Sequence, residues 1–222
     1  MSQATVPPLG SRIRIERQRR GLSVRGLARD IGVSPSLISQ IETDKSQPSV
    51  STLYAITTAL DITIESLFGE SDGSATELSP TQDGAAVQES APRPMARTQE
   101  ILPAPVDRLL RSPVVRPDDR ESLTLDSGVI WERLGQVPNT YTDFLLITYQ
   151  PGGTSSSSGE LMRHSGTEYG YLLKGSLVLT LGFDEYRLGP GDAVSFESTT
   201  PHGYRNDGLK PAVGVWWVLE RT

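Results

Sequence analysis

Residues 21–48, GLSVRGLARDIGVSPSLISQIETDKSQP, decide how the first third of this 222-residue chain is read. Ser23 is placed to cap a short helix, and Leu27 and Ile31, four apart, give that helix one apolar stripe. Gly32 ends it, because a left-handed residue is common just past a helix and glycine takes that conformation without steric cost. Val33 plugs the turn. Ser34 and Pro35 then open a second helix, serine as the N-cap and proline at the first helical position, where its missing N–H is not needed. Leu37, Ile38 and Ile41 face inward, which leaves Pro35, Ser36, Ser39 and Gln40 outward as a small polar surface.

That surface suits a major groove about 12 Å wide, where hydroxyls and an amide bond base edges or phosphates and the helix N-terminus attracts phosphate. Helix, tight turn and helix with this outward face make a helix-turn-helix. Residues 9–69 as a whole resemble the XRE, or lambda-repressor-like, family of DNA-binding domains. The stretch PSVSTLYAITTALDITIESLF has the spacing of that family's fourth and fifth helices, with Leu53, Ile56, Leu60, Ile64, Leu67 and Phe68 in register. The resemblance implies a five-helix platform on a double-stranded DNA operator. Its DNA contacts would come from Arg14, Arg17, Arg25, Ser34, Pro35, Ser36, Ser39, Gln40, Thr43 and Lys45. One position departs from the family: Val24 stands where many relatives carry glutamine, so that phosphate contact is absent or moved to Arg25. Gly26 costs its helix about 1 kcal/mol relative to alanine and reads as a point of close packing.

The net charge of -6 looks wrong for a DNA binder until it is divided along the chain. Arg12, Arg14, Arg17, Arg19, Arg20, Arg25, Arg29 and Lys45 face only four acidic residues between positions 12 and 45, whereas residues 71–222 carry 13 basic and 20 acidic groups. The positive field is local, and the acidic remainder limits non-specific adhesion to nucleic acid. With no cysteine, disulfides, thiolate zinc sites and cysteine nucleophiles are all excluded. No apolar run approaches the roughly 20 residues of a membrane span, and the N-terminus lacks the apolar core of a signal peptide. The expectation is a cytoplasmic protein with no membrane partner.

Residues 70–97 have no periodicity and are rich in Ser, Gly, Pro, Ala and acid, the composition of a flexible linker with a reach of roughly 30 Å. Two domains joined this way are free to reorient. From residue 98 to 222 the texture changes to short β-type runs: GVIWERL, FLLITYQ, EYGYLLKG, SLVLTLG, EYRLGPGD, AVSFES and AVGVWWVLE. In SLVLTLG, Leu177, Leu179 and Leu181 alternate with polar or smaller residues as in a strand with one core face, and GPGD at 189–192 is a tight turn. The overall expectation is a multidomain α plus β chain whose second part is a β-sandwich or small barrel able to hold a ligand.

The two histidines of the chain, His164 and His202, both lie in this part. His164 precedes Glu168 and Gly175; His202 follows Pro201 and precedes Asn206. These residues resemble the two motifs of the cupin superfamily, a double-stranded β-helix or jelly-roll barrel, over roughly residues 151–206. The family's first histidine falls here at Met162, and a thioether is a poor substitute for imidazole on a divalent ion. His164, Glu168 and His202 remain as an incomplete metal set, suited to iron and open also to zinc, nickel or manganese. Three alternatives stand: an effector pocket that requires no cofactor, a metal that helps bind effector, or a mononuclear non-haem iron oxygenase or epoxidase of the same two-domain architecture. Effector-pocket candidates are Trp131, Phe144, Met162, His164, Glu168, Tyr171, His202, Tyr204 and Trp216. Arg163 and Arg205 sit beside the histidines on strands and therefore face the opposite way. Together the two resemblances imply a transcription regulator, not an enzyme. It would act as a homodimer, since two half-sites about 34 Å apart multiply the modest specificity of one recognition helix.

Overall fold

Three serines start three of the four α-helices in the computed structural model, which describes residues 8–68, 113–135 and 142–219. The helices are α1 (Leu9–Arg19), α2 (Val24–Asp30), α3 (Pro35–Glu42) and α4 (Val50–Leu60). The Ser23 hydroxyl accepts the Gly26 N–H at 2.9 Å, Ser34 that of Leu37 at 3.1 Å, and Ser49 that of Thr52 at 3.2 Å. Each such cap is worth about 1 kcal/mol. Gly32, at φ 73°, turns α2 into α3 as its position requires. Gly26, expected as a point of close packing, instead makes room for its own cap: a Cβ there meets Ser23 Oγ at 3.2 Å. Close approach between helices falls to Gly10, where a Cβ would lie 1.9 Å from the Ile41 carbonyl oxygen, so α1 crosses α3 at that residue.

The expected fifth helix is a single 3₁₀ turn, Glu65–Leu67. Thr63 explains the difference: its hydroxyl and its carbonyl both engage Ser66, closing a tight i to i+3 turn in place of an α-turn. Ile64, Leu67 and Phe68 are buried nonetheless.

Among the described residues nine strands follow: β1 (Ser122–Leu125), β2 (Val129–Gly135), β3 (Thr142–Tyr149), β4 (Thr167–Lys174), β5 (Leu177–Leu181), β6 (Asp184–Leu188), β7 (Ala193–Glu197), β8 (His202–Arg205) and β9 (Ala212–Leu219). They form two antiparallel sheets, ordered β1-β2-β3-β9-β4-β7 and β6-β5-β8, the double-layered arrangement of a cupin jelly roll. Alternation sets the inner faces. Trp131, Leu145, Ile147, Tyr149, Glu168, Trp216 and Val218 point in from the large sheet, and His202 and Tyr204 from the small one. The expected GPGD turn joins β6 to β7, with the Gly189 N–H on Asp192 Oδ2 at 2.8 Å.

The expected linker, residues 70–97, lies outside the described residues. The helical and β-rich parts nevertheless belong to one compact unit and touch directly, where two freely reorienting domains were expected. Asp126 N–H donates to the Pro48 carbonyl at 2.9 Å, and Ser51 N–H to the Ser155 carbonyl at 3.0 Å. Arg133 lies over the Phe68 ring, 5.6 Å from its centre. No helix among the described residues is long and apolar enough to cross a membrane.

Candidate functional site

Helix α3 buries Ile38 and Ile41 and leaves Pro35, Ser36, Ser39 and Gln40 exposed. Ser34 is exposed with its hydroxyl occupied by the cap, and the Thr43 hydroxyl turns back onto the Ser39 carbonyl at 2.8 Å. Around this helix the basic residues divide into two groups. Arg19 pairs with Glu16, Arg20 with Asp61 and Arg29 with Asp30, whereas Arg14, Arg25 and Lys45 are exposed and have no ion-pair partner among the described residues.

Arg17 needs correction as a DNA contact. It is 7% exposed; its guanidinium grips both Glu42 oxygens, with Nη2 on Oε2 at 2.8 Å, and its Nη1 donates to the Leu22 carbonyl at 2.6 Å. The Glu42 hydrogen bonds push Arg17 further toward its charged form. Each of its three nitrogens thus donates inside the fold, clamping α1 to α3.

In the barrel, the Trp216 indole N–H donates to the Tyr204 hydroxyl at 3.2 Å, and that hydroxyl donates to Glu168 Oε2 at 3.1 Å. Trp216 lies flat across its neighbours because two of them are glycines: a Cβ at Gly170 would meet its ring at 2.6 Å and one at Gly214 at 2.3 Å. The other Glu168 oxygen faces two imidazoles, His164 Nε2 and His202 Nε2, each at 2.9 Å. The far nitrogens face backbone carbonyls, His202 Nδ1 that of Thr200 at 2.8 Å and His164 Nδ1 that of Ser165 at 3.1 Å. A carbonyl only accepts, so each Nδ1 carries hydrogen, and in the neutral rings both Nε2 lone pairs converge on a carboxylate. Three such atoms meet only around positive charge, supplied either by protons or by a cation. Burial by itself raises the Glu168 carboxyl, but hydrogen bonding and charge from the two facing imidazoles outweigh it and lower the group to about 2. Burial and the Glu168 charge together push the Tyr149 and Tyr204 hydroxyls up, so both remain donors.

Trp131, Met162, Glu168, Tyr204 and Trp216 line one small cavity, and His164 and His202 adjoin it through Glu168. Phe144 and Tyr171 do not belong there. Phe144 stacks on Trp217 at 4.7 Å on the outer face of the large sheet, and Tyr171 is 44% exposed on the same face. Both corrections follow from a period of two. Glu168, Gly170 and Leu172 point in, so Tyr171 points out, and Trp217 points out because Trp216 points in. Arg205 lies outside, paired with Glu185 and Asp207. Sequence reasoning missed Leu145, Ile147, Tyr149 and Val218, and two residues from the other part of the chain, Val50 and Tyr54 of α4. The Tyr54 ring stacks on His164 at 4.0 Å and 3° and meets Trp131 edge-on at 5.9 Å. A signal existed: Val50 and Tyr54, four apart, lie off the stripe of Leu53, Ile56 and Leu60, giving α4 a second apolar face.

Residues 13–67 match the helix-turn-helix family model and residues 145–218 the cupin-domain model. The HTH-type transcriptional regulator PuuR of Escherichia coli (strain K12) is 28% identical over 93% of this chain and 91% of its own length. The HTH-type transcriptional regulator SutR of the same organism is 32% identical over 86% of this chain and 83% of its own length. Among solved structures, an HTH_3-family transcriptional regulator from Vibrio cholerae aligns over 96% of both chains with a TM-score of 0.59 at 22% identity, a likeness of fold. The chain belongs to the family of helix-turn-helix transcriptional regulators that carry a C-terminal cupin domain.

Proposed function

We propose that the protein binds its operator as a homodimer through α3 and that its cupin barrel takes up a small-molecule effector that alters operator binding. The observation that carries the DNA half is the exposed Ser36–Gln40 face flanked by the unpaired cations Arg14, Arg25 and Lys45. Ser36 and Gln40 read base edges; Ser34, Pro35, Ser39 and Thr43 fit the helix against the groove; the three cations hold phosphate. A cytoplasmic location goes with that partner. An unbiased oligonucleotide selection with the full chain tests the reading. A consensus with two half-sites is expected, and Ser36→Ala or Gln40→Ala should lose about 1–3 kcal/mol on it while binding random duplex unchanged. No enriched sequence, or equal losses on both DNAs, overturns the assignment.

The barrel is read as a sensor without turnover. Its polar groups converge inside an apolar, aromatic lining, the make-up of a small-molecule site. His164 Nε2, Glu168 and His202 Nε2 also fit a divalent ion, since their ligand atoms lie within 4.8 Å of one another and both imidazoles are anchored from behind by carbonyls. A bound ion would supply Lewis acidity toward an oxygen of the effector. Metal analysis of protein purified without chelator is expected to find it, and to lose it in Glu168→Gln; oxygen-dependent turnover by the metal-loaded protein would overturn the sensor reading in favour of an oxygenase.

A further inference from the structure

The cavity in the barrel has a free volume of about 10 Å³, room for about one water and no more. Organic ligands occupy clefts of roughly 300 Å³ and upward. Rigid walls account for most of this closure: Trp131 is 1% exposed and Trp216 2%, and both are held within the sheets. The remaining wall is different. Val50 and Tyr54 come from α4, an element of the DNA-binding part, and Tyr54 covers the flat face of His164.

We infer that Tyr54 is the lid of the barrel pocket, and that an organic ligand enters only by lifting α4 from its seat, so that pocket occupancy and the placement of the DNA-binding helices are one equilibrium. This inference rests on the reading of the barrel as an effector pocket. Every other lining residue belongs to the β-rich part, and all but Met162, which is bridged to His202, sit in paired strands, whereas the start of α4 meets the barrel through few backbone bonds. Its seat includes two backbone hydrogen bonds at the start of α4, Ser51 N–H to the Ser155 carbonyl and Asp126 N–H to the Pro48 carbonyl, together with the Tyr54 contacts to His164 and Trp131. Ser155 also bonds Tyr204 twice, through its N–H at 2.9 Å and its hydroxyl at 2.9 Å, and Tyr204 donates to Glu168. A ligand that moves Tyr204 therefore disturbs the acceptor on which α4 rests. Once Tyr54 withdraws, the vacated space lies between the face of His164 and the edge of Trp131, so the ligand selected there carries a planar unsaturated group.

The lid is testable without knowing the effector. In a full-length Trp217→Phe background, acrylamide quenching of fluorescence reports on Trp131 and Trp216 alone, both lining the pocket. Tyr54→Ala is expected to raise quenching several-fold, while Tyr54→Phe, which keeps the stacked ring, stays at the parent value. Phenol should raise the melting temperature of Tyr54→Ala and cyclohexanol should not. On the selected operator, Tyr54→Ala should change affinity about fivefold or more and Tyr54→Phe should not. Unchanged quenching in Tyr54→Ala overturns the lid, equal effects of phenol and cyclohexanol overturn the planar ligand, and unchanged operator affinity overturns the link to α4. If quenching and affinity respond as expected while a metabolite screen finds no ligand for the wild-type protein, it is the effector reading that fails.

Discussion

Arg14 and Arg17 stand three apart on α1 and look alike in sequence, yet Arg14 is exposed and Arg17 is buried. The difference is Glu42, twenty-five positions from Arg17, whose buried carboxylate takes that guanidinium out of solvent. Arg17→Ala leaves this carboxylate buried and unpaired, which should cost about 3–5 kcal/mol in urea unfolding. Arg14→Ala should leave stability within about 0.5 kcal/mol and instead flatten the salt dependence of DNA binding. A salt slope in Arg14→Ala as steep as the parent's would mean that α1 does not face phosphate. Long-range pairing of this kind cannot be read from local pattern, because nothing near Arg17 announces its partner. The outward aim of Tyr171 and Phe144 was a different matter: it was implied by strand alternation once Glu168 and Trp216 were taken as inward.

Elements were legible where their residues obey one rule at a time. The caps at Ser23 and Ser34, the Gly32 turn and the inward stripe of α3 all follow from local chemistry, and the structure has them. Strand β8 was not picked out, because its inward positions are His202 and Tyr204 in place of aliphatic residues, so the pocket's own chemistry hides the strand that carries it. The 3₁₀ turn at Glu65–Leu67 escaped for a similar reason: its apolar spacing is helical, but Thr63 and Ser66 satisfy the backbone in a tighter way. The approach of β4 to β9 depends on Gly170, which was invisible as anything but a strand glycine. Gly170→Ala should overpack Trp216 and destabilise the chain by about 1–3 kcal/mol, with a shifted tryptophan emission. An alanine variant of parental stability and spectrum would show that the indole has room to move.

At the scale of the molecule, composition separated a basic helical part from an acidic β-rich part, and both resemblances held. It did not reveal that the two parts share a seam. The reason lies in α4, whose Leu53, Ile56 and Leu60 serve the helical core while Val50 and Tyr54 serve the barrel. A helix with two apolar faces is easily scored as a helix with one broad face. The seam bears on the expected linker, residues 70–97. Ser155 joins α4 to β8 through its carbonyl, N–H and hydroxyl, a route between the two parts that does not run along the intervening chain. Inserting ten or twenty glycine-serine residues into that stretch should leave the response of operator binding to pocket occupancy intact, as measured by titration of the selected operator with and without a pocket ligand. Loss of the response on insertion would restore the tether as the conduit. With the seam in place, the contact between the two halves runs through a serine carbonyl and a tyrosine that no tally of charge or periodicity would single out.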